Sequence, residues 1–233
     1  MIYINGYWNR ITGFLGLSPS TPAESYWDYF SPLFISSSRA FMRANADEVN
    51  RFIDGSSLFG IDQSADDRYK YGYKYAQDHY DELVSELTQG ESFKFISHSE
   101  GGAFATGMAD FLISRGQFVD RMLYLSPREA DAFTSPTGVF TIQVHFTNDP
   151  VCISKRINEV GVYLNLSKLE GKKVGLRYAH GGTVKAATIR KVQRILNKLP
   201  HNTNNKLIEG QWTITETIDG IDFIRIDDLT IDN

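Results

Sequence analysis

A single cysteine, Cys152, occurs in this chain of 233 residues. It can neither close an internal disulfide nor build a thiolate zinc site alone, so a disulfide scaffold and a zinc finger are both excluded. Also missing is any surplus of basic charge, since 24 Lys and Arg face 28 Asp and Glu for a formal net charge of −4. A nucleic-acid binder would use such a surplus to neutralise phosphates, and nucleic acid is not expected as a partner. No window approaches the roughly eighteen apolar residues of a membrane span. The opening MIYINGYWNR has neither a basic n-region nor an unbroken apolar stretch, so a cytoplasmic product is expected, with signal-independent secretion left open. No repeat of fixed period is visible. What the chain does have is aromatic residues, 12 Tyr, 15 Phe and 3 Trp, many of them in its first third.

Short β-coded runs alternate with amphipathic helical stretches, the pattern of a mostly parallel, doubly wound α/β sheet covered on both faces. Ile2-Tyr3-Ile4 opens the chain as a strand and stops at the turn-prone pair Asn5-Gly6. Residues 7–60 are irregular, broken by Pro19, Pro22 and Pro32, and read as an aromatic-rich insertion. A helix is expected over Ala65–Leu87, from the three- and four-residue spacing of Tyr69, Tyr73, Ala76, Tyr80, Leu83, Val84 and Leu87. Strands follow at 93–96, 121–125, 139–146 and 174–178, with helices at 101–114 and 183–199. Beyond a main domain of residues 1–200, a polar linker leads to a C-terminal β-hairpin within 201–233. A two-residue turn at Asp219-Gly220 would set its register, pairing Thr215 with Ile224.

The stretch that carries chemistry is Phe93-Lys94-Phe95-Ile96-Ser97-His98-Ser99-Glu100-Gly101-Gly102, in which an apolar strand meets a tight turn and leaves as a helix. A nucleophile elbow needs small residues two places either side of its serine, so that strand and helix do not collide. Here those places hold Ser97 and Gly101. The motif resembles the α/β-hydrolase superfamily, and within it the lipases whose elbow reads Gly-His-Ser-x-Gly-Gly, with Ser97 in place of the first glycine. That resemblance implies an acid and a histidine at the ends of later strands, in the order Ser, Asp, His. Asp149, in Thr147-Asn148-Asp149-Pro150, follows the strand at 139–146, and His180 precedes the closing helix.

In that reading Ser99 is the nucleophile, His180 the base and Asp149 the group that orients it. The oxyanion would be held by the backbone N–H of Glu100 and, by resemblance, by an amide of the loop after the first strand, that of Tyr7 in preference to that of Gly6. The chain looks like the small hydrolases that lack the first two strands of the superfamily. No metal and no cofactor are called for, and Asp227, Asp228 and Asp232 read as solvated charge.

Rivals exist at each position. Ser97 competes with Ser99, and Asp131 with Asp149. His145 lies inside an apolar strand and reads as core, while His79, His98 and His201 lack a strand-to-helix setting. The aromatic insertion reads either as packing or as a lid and acyl-binding surface, with Trp8, Trp27 and Phe30 as substrate-binding candidates. The expected function is hydrolysis of carboxylic esters, with lipid or long-chain acyl substrates and transient contact with a membrane surface. Acyl transfer or thioester hydrolysis by the same triad, and a non-catalytic hydrolase-like binding module, are the alternatives. A bare lipase-like domain with a polar tail also looks like the toxin domains of bacterial antagonism effectors, which would imply a dedicated inhibitor protein as partner.

Overall fold

In the computed structural model the described residues are 1–6, 26–27, 33–55, 63–88, 90–147, 149, 151–152, 155–166, 180–199, 212–216 and 221–225. The strands are β1 (Ile2–Asn5), β2 (Arg51–Asp54), β3 (Phe93–His98), β4 (Val119–Leu125), β5 (Phe140–Phe146), β6 (Val162–Leu166), β7 (Trp212–Glu216) and β8 (Ile221–Arg225). They form one sheet in the order β2-β1-β3-β4-β5-β6-β7-β8. Neighbours from β2 to β7 pair in parallel, and β8 alone runs antiparallel to its neighbour.

Parallel strands need crossovers that bury both faces of the sheet, and the apolar residues split accordingly into two cores. On one face, Tyr3, Ile96, Leu123 and Val144 pack under α1 (Phe34–Phe41) and, through Ile189, Val192 and Ile195, under a closing helix at Ala186–Leu196. On the other, Ile4, Phe95, Met122 and Tyr124 pack under α2 (Ala65–Asp78), α3 (Tyr80–Ser85) and α4 (Gly101–Ser114). The closing helix is α5 in chain order. Alternation along β3 therefore sends Ile96 to the first core and Phe95 to the second.

Several expectations are met and several are corrected. The strand-to-helix unit β3–α4 lies where the apolar run and the glycines put it. The long helix expected over Ala65–Leu87 is instead two helices, because His79 leaves helical geometry at φ −110° and ψ 18°. Side chains keep their helical spacing across that break, so periodicity does not reveal it. Within the supposed irregular insertion lie α1 and β2, and the strand following β5 is Val162–Leu166. Residues 174–178, where that strand was expected, lie outside the described residues. At the C-terminal end β7 pairs with β6 and extends the main sheet. Thr215 pairs with Asp222, two positions away from the register that an Asp219-Gly220 turn dictates. A shift of two leaves every side chain on the same face, so hydrophobic alternation does not discriminate between the two registers.

Candidate active site

Ser99 stands between the end of β3 and the start of α4 with φ +56°, a left-handed conformation that costs a non-glycine residue roughly 1–2 kcal/mol. The surroundings hold it there. Its N–H donates to the Leu125 carbonyl at 3.0 Å, and its own carbonyl accepts from the amides of Gly102 and Arg128 at 3.2 Å each. Backbone contacts also explain the small residues around it. A Cβ on Gly101 would lie 2.6 Å from the Ile4 carbonyl oxygen, so only glycine lets α4 approach β1 this closely. A Cβ on Gly6 would meet the Ser99 Cβ at 2.5 Å and the Glu100 nitrogen at 2.8 Å, which places the end of β1 directly against the elbow.

Asp149 follows β5, its N–H bonded to the Phe146 carbonyl at 2.8 Å. Its carboxylate is buried and accepts from His180 Nδ1 at 2.9 Å and from the Val151 amide at 2.9 Å. A carboxylate only accepts, so Nδ1 carries the proton and Nε2 is left as the basic nitrogen. Burial pushes the Asp149 carboxyl up, but the hydrogen bond and charge of His180, with smaller help from Ser126 and Val151, outweigh it and hold the group well below the ordinary carboxylate range. His180 begins a tight 3-10 turn at Gly181–Thr183 that leads into α5. Among the described residues the Ser99 hydroxyl makes no hydrogen bond to His180. Such bonds are often long before substrate binds.

The rivals take other places. Ser97 is buried within β3, paired with Ile4 and Tyr124. Asp131 is half exposed and pairs with Lys155 at 2.8 Å on the surface. His145 is fully buried in β5 against Tyr163, as a core histidine would be.

Of the aromatic stretch, Trp27 is 1% exposed, its ring stacked 5.4 Å from Phe34 and edge-on to Tyr3 at 5.4 Å. That places Trp27 in the core, packed between α1 and β1. Tyr7, Trp8 and Phe30 lie outside the described residues.

Two side chains of the elbow have partners that the sequence does not reveal. Glu100, the variable position of the elbow, is buried between Arg68, at 2.9 Å, and Arg128. The other is His98. Its Nδ1 lies 2.5 Å from the Tyr26 hydroxyl, its Nε2 3.2 Å from the His180 carbonyl oxygen, and its ring 4.6 Å from that of His180. Burial, with the nearby His180, pushes its pKa down to about 3, so it stays neutral. Both groups are joined to partners far away in the chain, for which no local pattern exists.

Among the described residues, Asp149, Cys152 and His180 form a group whose donor atoms could hold a metal ion, all within 4.8 Å of one another. Burial and the neighbouring Asp149 carboxylate push the Cys152 thiol up, which keeps it a neutral thiol. No helix among the described residues is long and apolar enough to cross a membrane. Comparison of the chain with protein-family models, with curated proteins and with solved structures finds no match.

Proposed function

We propose that the chain is a serine hydrolase of carboxylic esters related in architecture to the α/β-hydrolases, with Ser99, His180 and Asp149 as its triad. The observation that carries this reading is the serine held at φ +56° on a strand-to-helix turn of a parallel sheet, with a buried Asp–His pair supplied by the segments after β5 and β6. Ser126, after β4, also has a positive φ, so it is the strand-to-helix setting of Ser99 together with the Asp–His pair that supports this reading, and a structural histidine has no need of a buried carboxylate on Nδ1.

Ser99 Oγ attacks the acyl carbonyl carbon while His180 Nε2 takes its proton. Asp149 keeps the imidazole in the Nδ1–H tautomer and stabilises the imidazolium. The tetrahedral oxyanion takes the Glu100 N–H and, from the loop after β1, the Tyr7 N–H. Collapse passes the proton from His180 to the departing alcohol and leaves an acyl-serine. Water, deprotonated by His180, then releases the acid. Lipid and long-chain acyl esters, reached at a membrane surface, remain the substrates this reading favours, now on the strength of Trp8 and Phe30 without Trp27.

Hydrolysis of nitrophenyl esters of graded chain length by wild type and Ser99→Ala tests the reading. Turnover abolished in the variant supports it. Equal turnover in both, or none in the wild type on any ester, refutes it.

A further inference from the structure

We propose that His98 is a positioning residue for His180, holding the loop of the base to the nucleophile strand through a hydrogen-bond chain that passes through Tyr26; the role rests on the hydrolase reading above. The chain of bonds has one consistent direction. The His180 carbonyl oxygen only accepts, so His98 Nε2, 3.2 Å away, carries the ring proton. Nδ1 is then a bare acceptor, and the Tyr26 hydroxyl, 2.5 Å from it, is the donor. Three segments are thereby tied together: the aromatic stretch, the end of β3 and the turn that opens α5.

The His180 carbonyl also accepts from Thr183 Oγ1 at 3.1 Å, so its backbone is fixed by two donors while Asp149 fixes its ring. The His98 ring lies against the His180 ring at 4.6 Å, inclined by 41°. A fully buried imidazole costs free energy unless both nitrogens are paired, and an apolar side chain of that volume would fill the space without such a requirement. With both nitrogens committed, His98 has no site from which to move a proton itself. Its contribution is geometric. The bond it makes spans 82 residues of sequence and joins the turn that opens α5 directly to the end of the nucleophile strand.

The test compares wild type with His98→Leu, His98→Gln and Tyr26→Phe on a short nitrophenyl ester, each first shown to be folded by circular dichroism. Misplacing the base by about 1 Å costs on the order of 10²-fold. His98→Leu is expected to lower kcat by about that factor with KM unchanged. His98→Gln, whose amide nitrogen reaches the place of Nε2, is expected to restore most of it. Tyr26→Phe, which frees Nδ1 to take the ring proton, is expected to fall between them. The 15N spectrum of the histidines, recorded on Ser99→Ala, reads the tautomer without turnover, and His98 is expected protonated at Nε2. A proton on Nδ1 in that spectrum, or equal kcat in the Leu and Gln variants, overturns the proposal. An inactive wild type would instead sink the hydrolase reading, and the spectrum would still decide the hydrogen-bond chain.

Discussion

Replacing Ser99 by glycine and, separately, by alanine isolates the strain at the elbow from its chemistry. Both substitutions delete the hydroxyl, and the hydroxyl makes no bond to His180 that stability would miss. They differ in what they do to a backbone held at φ +56°. Alanine keeps the Cβ whose clash with the following carbonyl makes this region cost roughly 1–2 kcal/mol, whereas glycine has none. Against that relief stands the greater freedom of glycine in the unfolded chain, roughly 0.5–1 kcal/mol. Ser99→Gly should therefore be more stable than Ser99→Ala by about 0.5–1 kcal/mol. In a chain of this size that is about 1–4 °C in Tm. Urea unfolding of the two variants, with equal slopes, measures the difference directly. Both variants should be inactive. A glycine variant no more stable than the alanine variant would mean that the elbow stores no strain, and the reading of Ser99 would then rest on the strand-to-helix turn and the Asp149–His180 pair alone.

Asp149→Asn should reduce kcat by up to about 10⁴-fold through loss of the correct His180 tautomer, with KM little changed, while Asp131→Asn leaves both untouched; steady-state kinetics on one ester reads this. Because the Asp149 carboxyl titrates below its ordinary value in the folded state, its contribution to stability is present above about pH 4 and is lost as the pH falls through the depressed value. Acid unfolding followed by fluorescence should accordingly show a steeper loss of stability below about pH 4 in wild type than in Asp149→Asn. Trp27→Ala should cost about 3–5 kcal/mol in chemical denaturation, because it empties a core site between Phe34 and Tyr3; an unchanged stability with lost long-chain activity would return Trp27 to the substrate surface.

The parts of the molecule that were legible in the sequence are those whose determinants are local. β3, the turn and α4 declare themselves in one run, since an apolar strand followed by small residues at fixed offsets has few other uses. Asp149 and His180 stand out in the sequence because triad chemistry would need an acid and a base in that order at strand ends, and the fold brings their side chains to 2.9 Å. β2 was hidden because only Ile53 of its four residues, Arg51–Asp54, is buried, and they sit inside an aromatic stretch with no periodicity of its own. β6 was missed because a short buried strand is one apolar run among several, and only its pairing with β5 distinguishes it. The break at His79 preserves side-chain spacing, and the shifted register of β8 preserves side-chain face. Neither leaves a trace in hydrophobic pattern. The sequence leaves Trp27 open between packing and substrate surface, because an aromatic cluster reads the same whether it packs inward or outward. The ties from Glu100 to Arg68 and from His98 to Tyr26 and His180 are made across the fold, where sequence spacing carries no information.

The central claim is that Ser99 is an activated nucleophile, and covalent capture tests it most directly. Wild type, Ser97→Ala, Ser99→Ala and His180→Ala are each treated with a fluorophosphonate, and the labelled peptide is identified by mass spectrometry. The account predicts phosphonylation of Ser99 in wild type and in Ser97→Ala, strongly slowed labelling in His180→Ala, and none in Ser99→Ala. Labelling at Ser97, or a folded wild type that takes no label while a known serine hydrolase in the same tube does, would contradict it.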